Sequence, residues 1–293
     1  MEFRLVAFIS VARNLNFTKA ARELHISQPA VSKHIQELET TLGVQLFERV
    51  GSRVVLTAAG AVCLKHAEQI TDSYRQMQLE MNLMSGTFNG ELRLGASTTI
   101  AQYVLPPIIA KFITRFPDVK ISMLTGNSEQ IEQAIDEHRI DVGLVEGSRH
   151  RQGLRYTLFA NDELVVVTST ANRSKDEVSM AEFITLPFVL REAGSGTLEV
   201  IENALAEHGI SLRQMRVLLQ MGATEGIKYF LANAISAYAI ISIAAVSKEL
   251  MNNTLKVVEV EGLEFRRAFS FVSAQGAHNE LTERFMEFAK AVR

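Results

Sequence analysis

Through the first 42 positions apolar residues recur at three- and four-residue spacing, a period that predicts three short helices. Leu5, Phe8, Ala12 and Leu15 make the first stripe. The second helix is expected to begin with Thr18 as its N-cap and to run through Leu24, with Ala20 and Ala21 small enough to let a neighbouring helix approach closely. His25 and Ile26 then make a tight turn. Ser27 opens a third helix that carries Pro29 in its first turn, where a missing N–H costs nothing. Val31, Ile35, Leu38 and Leu42 form its inward stripe, and Gly43 supplies the left-handed terminator.

A longer pattern follows. With Thr57 as N-cap, a proline-free helix is predicted from Ala58 to about Ser85. Within it Cys63, Ile70, Met77 and Met84 recur every seven residues, and Ala67, Tyr74 and Met81 fall four positions after the first three, which is an a/d seam. A second copy of the chain is the simplest partner, because Lys65, Glu68, Asp72, Arg75 and Glu80 around the seam are expected to be solvated. The alternative is an amphipathic helix lying on its own domain.

From Gly90 the period changes to strands alternating with helices. Leu92 to Leu94 leads through Gly95–Thr99 into a helix ending near Phe116. Val119 to Leu124 leads through Thr125–Ser128 into a helix over Glu129 to Glu137, and Asp141 to Val145 is the next strand. A second set comprises Glu163 to Val167, Phe188 to Leu190, a turn at Glu192–Thr197 into a helix, Val217 to Gln220 and a helix from Thr224. Repeated strand-loop-helix units imply parallel sheet, here as two α/β lobes with a cleft between them. Glu264 to Ser273 reads as a strand returning to the first lobe. The terminal helix, Asn279 to Val292, carries Leu281, Phe285, Phe288, Ala289 and Val292 on one side to pack on that lobe.

Length and charge sharpen this division. At 293 residues the chain suits two or three domains of roughly 100 to 200 residues each. No run of about 18 uncharged apolar residues predicts a membrane span, and the N-terminus does not read as a signal peptide, so the cytoplasm is the expected compartment. One cysteine, Cys63, excludes an intrachain disulfide and a cysteine-rich metal site. The net charge of −3 is unevenly spread: Met1 to His66 holds 8 Lys and Arg against 5 Asp and Glu, a basic head on an acidic body.

On the third helix Gln28, Pro29, Ser32, Lys33 and Gln36 oppose the core stripe near the N-terminal end, the end a recognition helix places in the major groove. There, donors and acceptors can read base edges while Ser27, the free N–H groups and His34 hold phosphates; a solvated face is the alternative for any one of them. The string FTKAARELHISQPAVSKHIQELETTLGVQLFER followed by VVLTAAG, Phe17 to Gly60 almost without a gap, resembles the N-terminus of LysR-type regulators. The resemblance implies a winged helix-turn-helix whose residues Gln28, Pro29, Ala30, Ser32 and Lys33 enter the major groove; Thr18, Ser27 and His34 are expected beside them as further DNA contacts. The hairpin Arg49 to Leu56 would be the wing. Its tip, Val50-Gly51-Ser52-Arg53, carries a cation for the minor groove. The resemblance also implies operator DNA as partner, homodimers through the linker helix, homotetramers, and RNA polymerase as a further partner.

The expected architecture is therefore α/β, with a DNA-binding domain over 1–57, a linker helix over 58–87 and an effector domain over 88–293 resembling periplasmic solute-binding proteins. Lobe one is read as 88–161 plus 268–293 and lobe two as 162–267. Ser97, Thr98 and Thr99, then Asn127 and Ser128, then Gly194, Ser195, Gly196 and Thr197 feed hydroxyls, an amide and glycines into helix N-termini, and Thr224 opens another helix. Facing one cleft at strand C-termini, such donors suit a small anionic effector, though any single loop reads equally as a capped helix. Arg191 either adds charge to that cleft or pairs with Glu192 or Glu225. The stretch Arg191 to Thr197 resembles a subset of the family that regulates sulfur assimilation or carbon fixation. Where family members often carry a glycine-rich turn, Ala232–Ala237 stands instead, with Asn233 expected to supply the left-handed residue. No cofactor is expected. An enzyme is disfavoured because no close metal-ligand set, GxSxG elbow or phosphate loop is present, and the N-terminal reader separates the chain from a transport protein.

Overall fold

A computed structural model describes residues 2–51, 53–84, 89–147, 150–276 and 279–292. The chain divides into two compact units, Met1–Thr87 and Phe88–Arg293.

In the first unit α1 (Glu2–Asn14), α2 (Phe17–Glu23) and α3 (Gln28–Leu42) precede a two-stranded hairpin, β1 (Phe47–Val50) with β2 (Arg53–Leu56), and α4 (Ala58–Met84) follows. Their apolar stripes meet in one core that includes Leu5, Phe8, Val31, Ile35, Leu38 and Leu46. Phe47 from the hairpin closes it, its ring 5.4 Å from Phe8 and 5.8 Å from Phe17. Three expectations change at the helix ends. The cap of α2 is Asn16, whose side chain accepts from the Lys19 N–H, so Thr18 lies inside the helix instead. Leu15 ends α1 with φ of 47° and is exposed, and Leu42, in the last turn of α3, is also exposed, because both stripes run past the core. Thr57 does cap α4, accepting from the Gly60 N–H at 2.9 Å.

Glu39 fixes the passage from α3 to the hairpin. Its Oε1 accepts from the backbone N–H of Leu46 at 2.7 Å and of Phe47 at 3.3 Å. Glu39→Ala leaves two half-buried donors without their charged acceptor, and is expected to cost about 2 to 3 kcal/mol of stability in the first unit, read by denaturant unfolding. Glu39→Gln, which keeps an acceptor oxygen, is expected to recover about half of that.

In the second unit, lobe one is built on the parallel strands β3 (Gly90–Ser97), β4 (Val119–Gly126) and β5 (Val142–Glu146). A π-helical turn over Ile100–Val104 leads into α5 (Leu105–Arg115), and α6 (Ser128–Asp136) follows β4. The terminal α11 (Glu280–Ala291), capped by Asn279, packs Phe285 and Phe288 against Phe112 of α5, each pair 5.2 Å between centroids.

Lobe two contains β7 (Glu177–Val178), α7 (Met180–Phe183), β8 (Phe188–Arg191), α8 (Gly196–Glu207), β9 (Val217–Met221), α9 (Thr224–Asn233), β10 (Tyr238–Ser242), α10 (Ile243–Met251) and β11 (Leu255–Val260). Strands β9, β8 and β10 run parallel. Two long strands join the lobes: β6 (Leu154–Ser169) and β12 (Phe265–Ala274) pair antiparallel from Leu164↔Phe265 to Leu154↔Ala274. The latter half of β6 lies antiparallel between β10 and β11. The expected parallel sheet is thus confined to the outer part of each lobe. The left-handed residue expected at Asn233 is absent; α9 ends on Ala234 at φ of −115°.

Candidate DNA interface and effector cleft

The N-terminal end of α3 is a presented surface. Ser27 caps it, its hydroxyl accepting from the Ala30 N–H at 3.3 Å, Pro29 lies in the first turn, and Gly43 closes the helix with φ of 71°. Gln28, Pro29, Lys33 and Gln36 are exposed, while Ala30 and Ser32 are half-buried beside them. The Gln28 amide donates to the Ser32 hydroxyl at 2.8 Å, which orients both, and Lys33 is 4.0 Å from Glu37. Thr18 is exposed on α2. Arg53, also exposed, forms with Val50 the closing pair of the hairpin, and Gly51 makes the turn with φ of 64°; Ser52 lies outside the described residues. His34 is half-buried on α3, its Nδ1 3.9 Å from Glu37. Its ring stands edge-on to Phe3 of α1, 5.1 Å between centroids.

The seam on α4 divides in two. Ala67 is buried in the first unit's own core and Cys63 packs half-buried against it, with burial pushing the Cys63 thiol up from its ordinary value. Glu68, expected in solvent, is 8% exposed and pairs with Arg13 of α1 at 2.8 Å. Beyond that point Ile70, Tyr74, Met77 and Met81 are all exposed. The side chains of Glu80 and Met84, and Ser85 altogether, lie outside the described residues. The lower seam therefore fastens the helix to its own domain, and the upper seam presents apolar side chains outward.

Between the lobes the expected donors gather around a group the sequence reading did not foresee, the carboxylate of Glu146 at the end of β5. Ser97 donates to Glu146 Oε2, and Oε1 lies 3.4 Å from the Thr99 hydroxyl, 3.3 Å from that of Thr197 and 3.4 Å from Arg267 Nη1. Arg267, from β12, also donates to Thr197 Oγ1 at 2.8 Å and through Nε to Asp162 Oδ2 at 2.7 Å; Asp162 in turn accepts from Ser242 at 2.9 Å. Ser128 donates to the Glu146 carbonyl at 2.8 Å. One cluster thus joins lobe one, the first turn of α8 and both joining strands. Gly196 permits it, since a Cβ there would stand 2.0 Å from the Glu146 carbonyl oxygen. The donors are those of an anion cradle, and here the chain's own carboxylate fills it. No local sequence signal marks Glu146, Asp162 or Arg267, which lie far apart along the chain.

The remaining residues of the expected set play other parts. Asn127 caps α6 in a capping box with Gln130 and turns its amide toward Glu192 and the Ala193 carbonyl, 3.5 and 3.4 Å away, so it clasps lobe two. The Gly194 carbonyl accepts from the Glu129 N–H at 3.3 Å, and Gly194 has φ of 81°. Ser195 is buried with its hydroxyl unpartnered, as is the Thr98 hydroxyl. Thr224 is buried and lies 3.4 Å from Arg191 Nη1. Arg191 itself, 1% exposed, is turned to Glu192 at 2.8 Å rather than into the cleft. A second clasp joins the lobes where Tyr103 donates to Glu225, which Lys228 meets at 2.7 Å. Burial pushes the Glu225 carboxyl up, but the hydrogen bonds from Lys228 and Tyr103 outweigh it and hold the group below its ordinary range.

Comparison with known proteins agrees in both units. Residues 3–61 match the bacterial regulatory helix-turn-helix protein, lysR family, and residues 85–293 match the LysR substrate binding domain. The chain is similar to the HTH-type transcriptional regulator CysL of Bacillus subtilis (strain 168), 28% identical over 270 residues, 92% of this chain and 89% of that one. It is 31% identical to the RuBisCO operon transcriptional regulator of Allochromatium vinosum over 275 residues, 93% and 89% of the two chains. Full-length CbnR in complex with its target DNA matches with a TM-score of 0.69 at 21% identity over 99% of both chains. The regulatory domain of Synechocystis PCC6803 CcmR in complex with 2-PG matches with a TM-score of 0.63 at 25% identity, over 70% of this chain and 97% of that one. Among the described residues no helix is long and apolar enough to cross a membrane. The chain belongs to the LysR family of bacterial helix-turn-helix transcriptional regulators.

Proposed function

We propose that this regulator reads operator DNA in the cytoplasm as a pair, with α3 of each copy in a major groove, and that a small anionic effector bound between the two lobes modulates it. The observation that carries the DNA reading is the exposed, capped N-terminal end of α3, where Gln28, Pro29 and Lys33 stand clear of the core. Ser27, Ala30 and Ser32 border them, and Arg53 at the hairpin tip and Thr18 on α2 contact the backbone or minor groove. Pairing proceeds through the outward half of the α4 seam. Tetramers and contact with RNA polymerase rest on the family alone. The effector reading is supported by the cradle at Ser97, Thr99, Thr197 and Arg267, which already holds a carboxylate. An effector's anionic group enters by exchange with Glu146, bordered by Thr98, Ser128 and Ser195. The similar regulatory domain of CcmR, in complex with 2-PG, supports a small-ligand reading here.

The test separates the two contact types. Lys33→Ala is expected to cost about 1 to 3 kcal/mol on the operator and to relax preference at one base position, whereas Arg53→Ala weakens operator and unrelated DNA alike. Affinities by fluorescence anisotropy at several salt concentrations give both readings. Unchanged affinity and salt slope in both variants would refute the assignment.

A further inference from the structure

The segment of lobe one that lines the cradle also reaches lobe two. Ser97 and Thr99 stand at Glu146, and the π-helical turn Ile100–Val104 that follows them at once carries Tyr103. Such turns are rare and recur at functional sites. Here the Tyr103 hydroxyl donates to Glu225 of α9, and its ring faces Lys228 Nζ, 5.1 Å from the centroid. Lys228 is 8% exposed, and its three N–H groups have three acceptors within lobe two: Glu225 at 2.7 Å, Glu249 at 2.9 Å and the Ala245 carbonyl at 3.0 Å. Burial pulls the ammonium down, but the bonds to Glu225 and Glu249 outweigh it and hold Lys228 above its ordinary value. Burial and the bond to Glu225 push the Tyr103 phenol up, so it stays a donor. Lys228 thus fixes the carboxylate that Tyr103 meets.

Two properties separate this bond from the other contacts described between the lobes. It runs from a hydroxyl to a carboxylate and is of the stronger, charge-assisted kind, whereas Asn127 to Glu192 and Ala193, the Glu129 N–H to the Gly194 carbonyl, and Glu146 to Thr197 and Arg267 span 3.3 to 3.5 Å. It also opens without leaving a buried charge unpaired: Glu225, whose side chain is 46% exposed, keeps Lys228, and the freed phenol meets water. Glu146 and Arg267 are buried and have no such exit. The apolar clusters at Ile131, Val145 and Val272 in lobe one and at Val167, Ile227 and Val246 in lobe two each keep to their own lobe. We propose that Tyr103 is a reversible latch, whose bond to Glu225 holds the lobes closed over the cradle and whose release lets them part about β6 and β12, opening the way to Glu146 and its donors. The inference rests on the contacts between the lobes alone, so it stands or falls apart from the anionic-effector reading.

Hydrogen–deuterium exchange of the full chain, with no ligand added, tests the latch. The Glu129 amide reports the parting directly, because its acceptor is the Gly194 carbonyl of the other lobe. In Tyr103→Phe, which keeps the ring and removes only the hydroxyl, exchange is expected to rise about tenfold both at Ile100–Val104 and at Glu129, with no change in α11 or β8. Glu225→Gln, which leaves the phenol an uncharged acceptor, should give a smaller rise at the same two places. Tyr229→Phe, at an exposed tyrosine of the same helix α9, should give none. A rise confined to Ile100–Val104 would make Tyr103 a local contact, and an equal rise through α11 and β8 would make it a general support of the fold; either result, or no rise at all, overturns the proposal.

Discussion

Arg267→Met is expected to lower the stability of the effector unit by about 3 to 5 kcal/mol, a drop of roughly 10 °C in its melting temperature. The Arg267 side chain is 0% exposed, and the carboxylates it pairs, Glu146 and Asp162, are 2% and 3% exposed. Removing the guanidinium leaves two carboxylates buried without their cation, and the cost is their uncompensated charge more than the lost bonds. Adding Glu146→Gln and Asp162→Asn to the Met variant should therefore restore much of the loss, although it removes further polar contacts. Calorimetry of the full chain reads the effector transition beside that of the DNA-binding unit, which should not move. A loss below about 1 kcal/mol, or a triple variant weaker than the single one, would show that the cluster does not hold the lobes as described.

The second large effect concerns α4. Ile70→Glu with Met77→Glu puts charge on two exposed seam positions that do not touch the core of the DNA-binding unit. If the seam pairs two copies, charges facing charges across it separate them, and the affinity for an operator of two half-sites falls at least about 100-fold because two linked readers become two independent ones. The fold of each reader and its binding to one half-site should be unchanged. Sedimentation velocity reports the mass, and gel retardation on one and two half-sites reports the linkage. A variant that remains dimeric would move the interface elsewhere.

What could be read from sequence was local. Ser27, Pro29 and Gly43 act within one turn of their own helix, so the bounds of α3 follow from a few neighbouring residues. The α6 cap at Asn127 and the α11 cap at Asn279 are of the same kind. Stripes gave the faces of helices but not where the core stops, which is why Leu15 and Leu42 were expected inside and stand in solvent. Thr18 and Asn16 are both competent caps two residues apart, and the choice depends on where α1 ends. The strand β6 was read only over Glu163 to Val167; its earlier half pairs with β12, more than a hundred residues away, through a register shift between Phe269 and Ser270. The strands β10 and β11, which flank the latter half of β6, and the helix α10 between them were not read from the sequence. At the cleft the hydroxyls of Ser97, Thr99 and Thr197 were visible as helix-start residues. The group they serve was not, because a glutamate at a strand end looks like any solvated glutamate until Arg267 and Asp162 arrive from other strands.

Footprinting of the full chain on the DNA flanking its own gene tests the central claim most directly. The account predicts protection of two related half-sites about one helical turn apart or a multiple of it, affinity that falls steeply with salt, and loss of the protected pattern in the Gln28→Ala, Lys33→Ala double variant. Salt-dependent retention with no protected sequence, or the same footprint from the double variant, would contradict it.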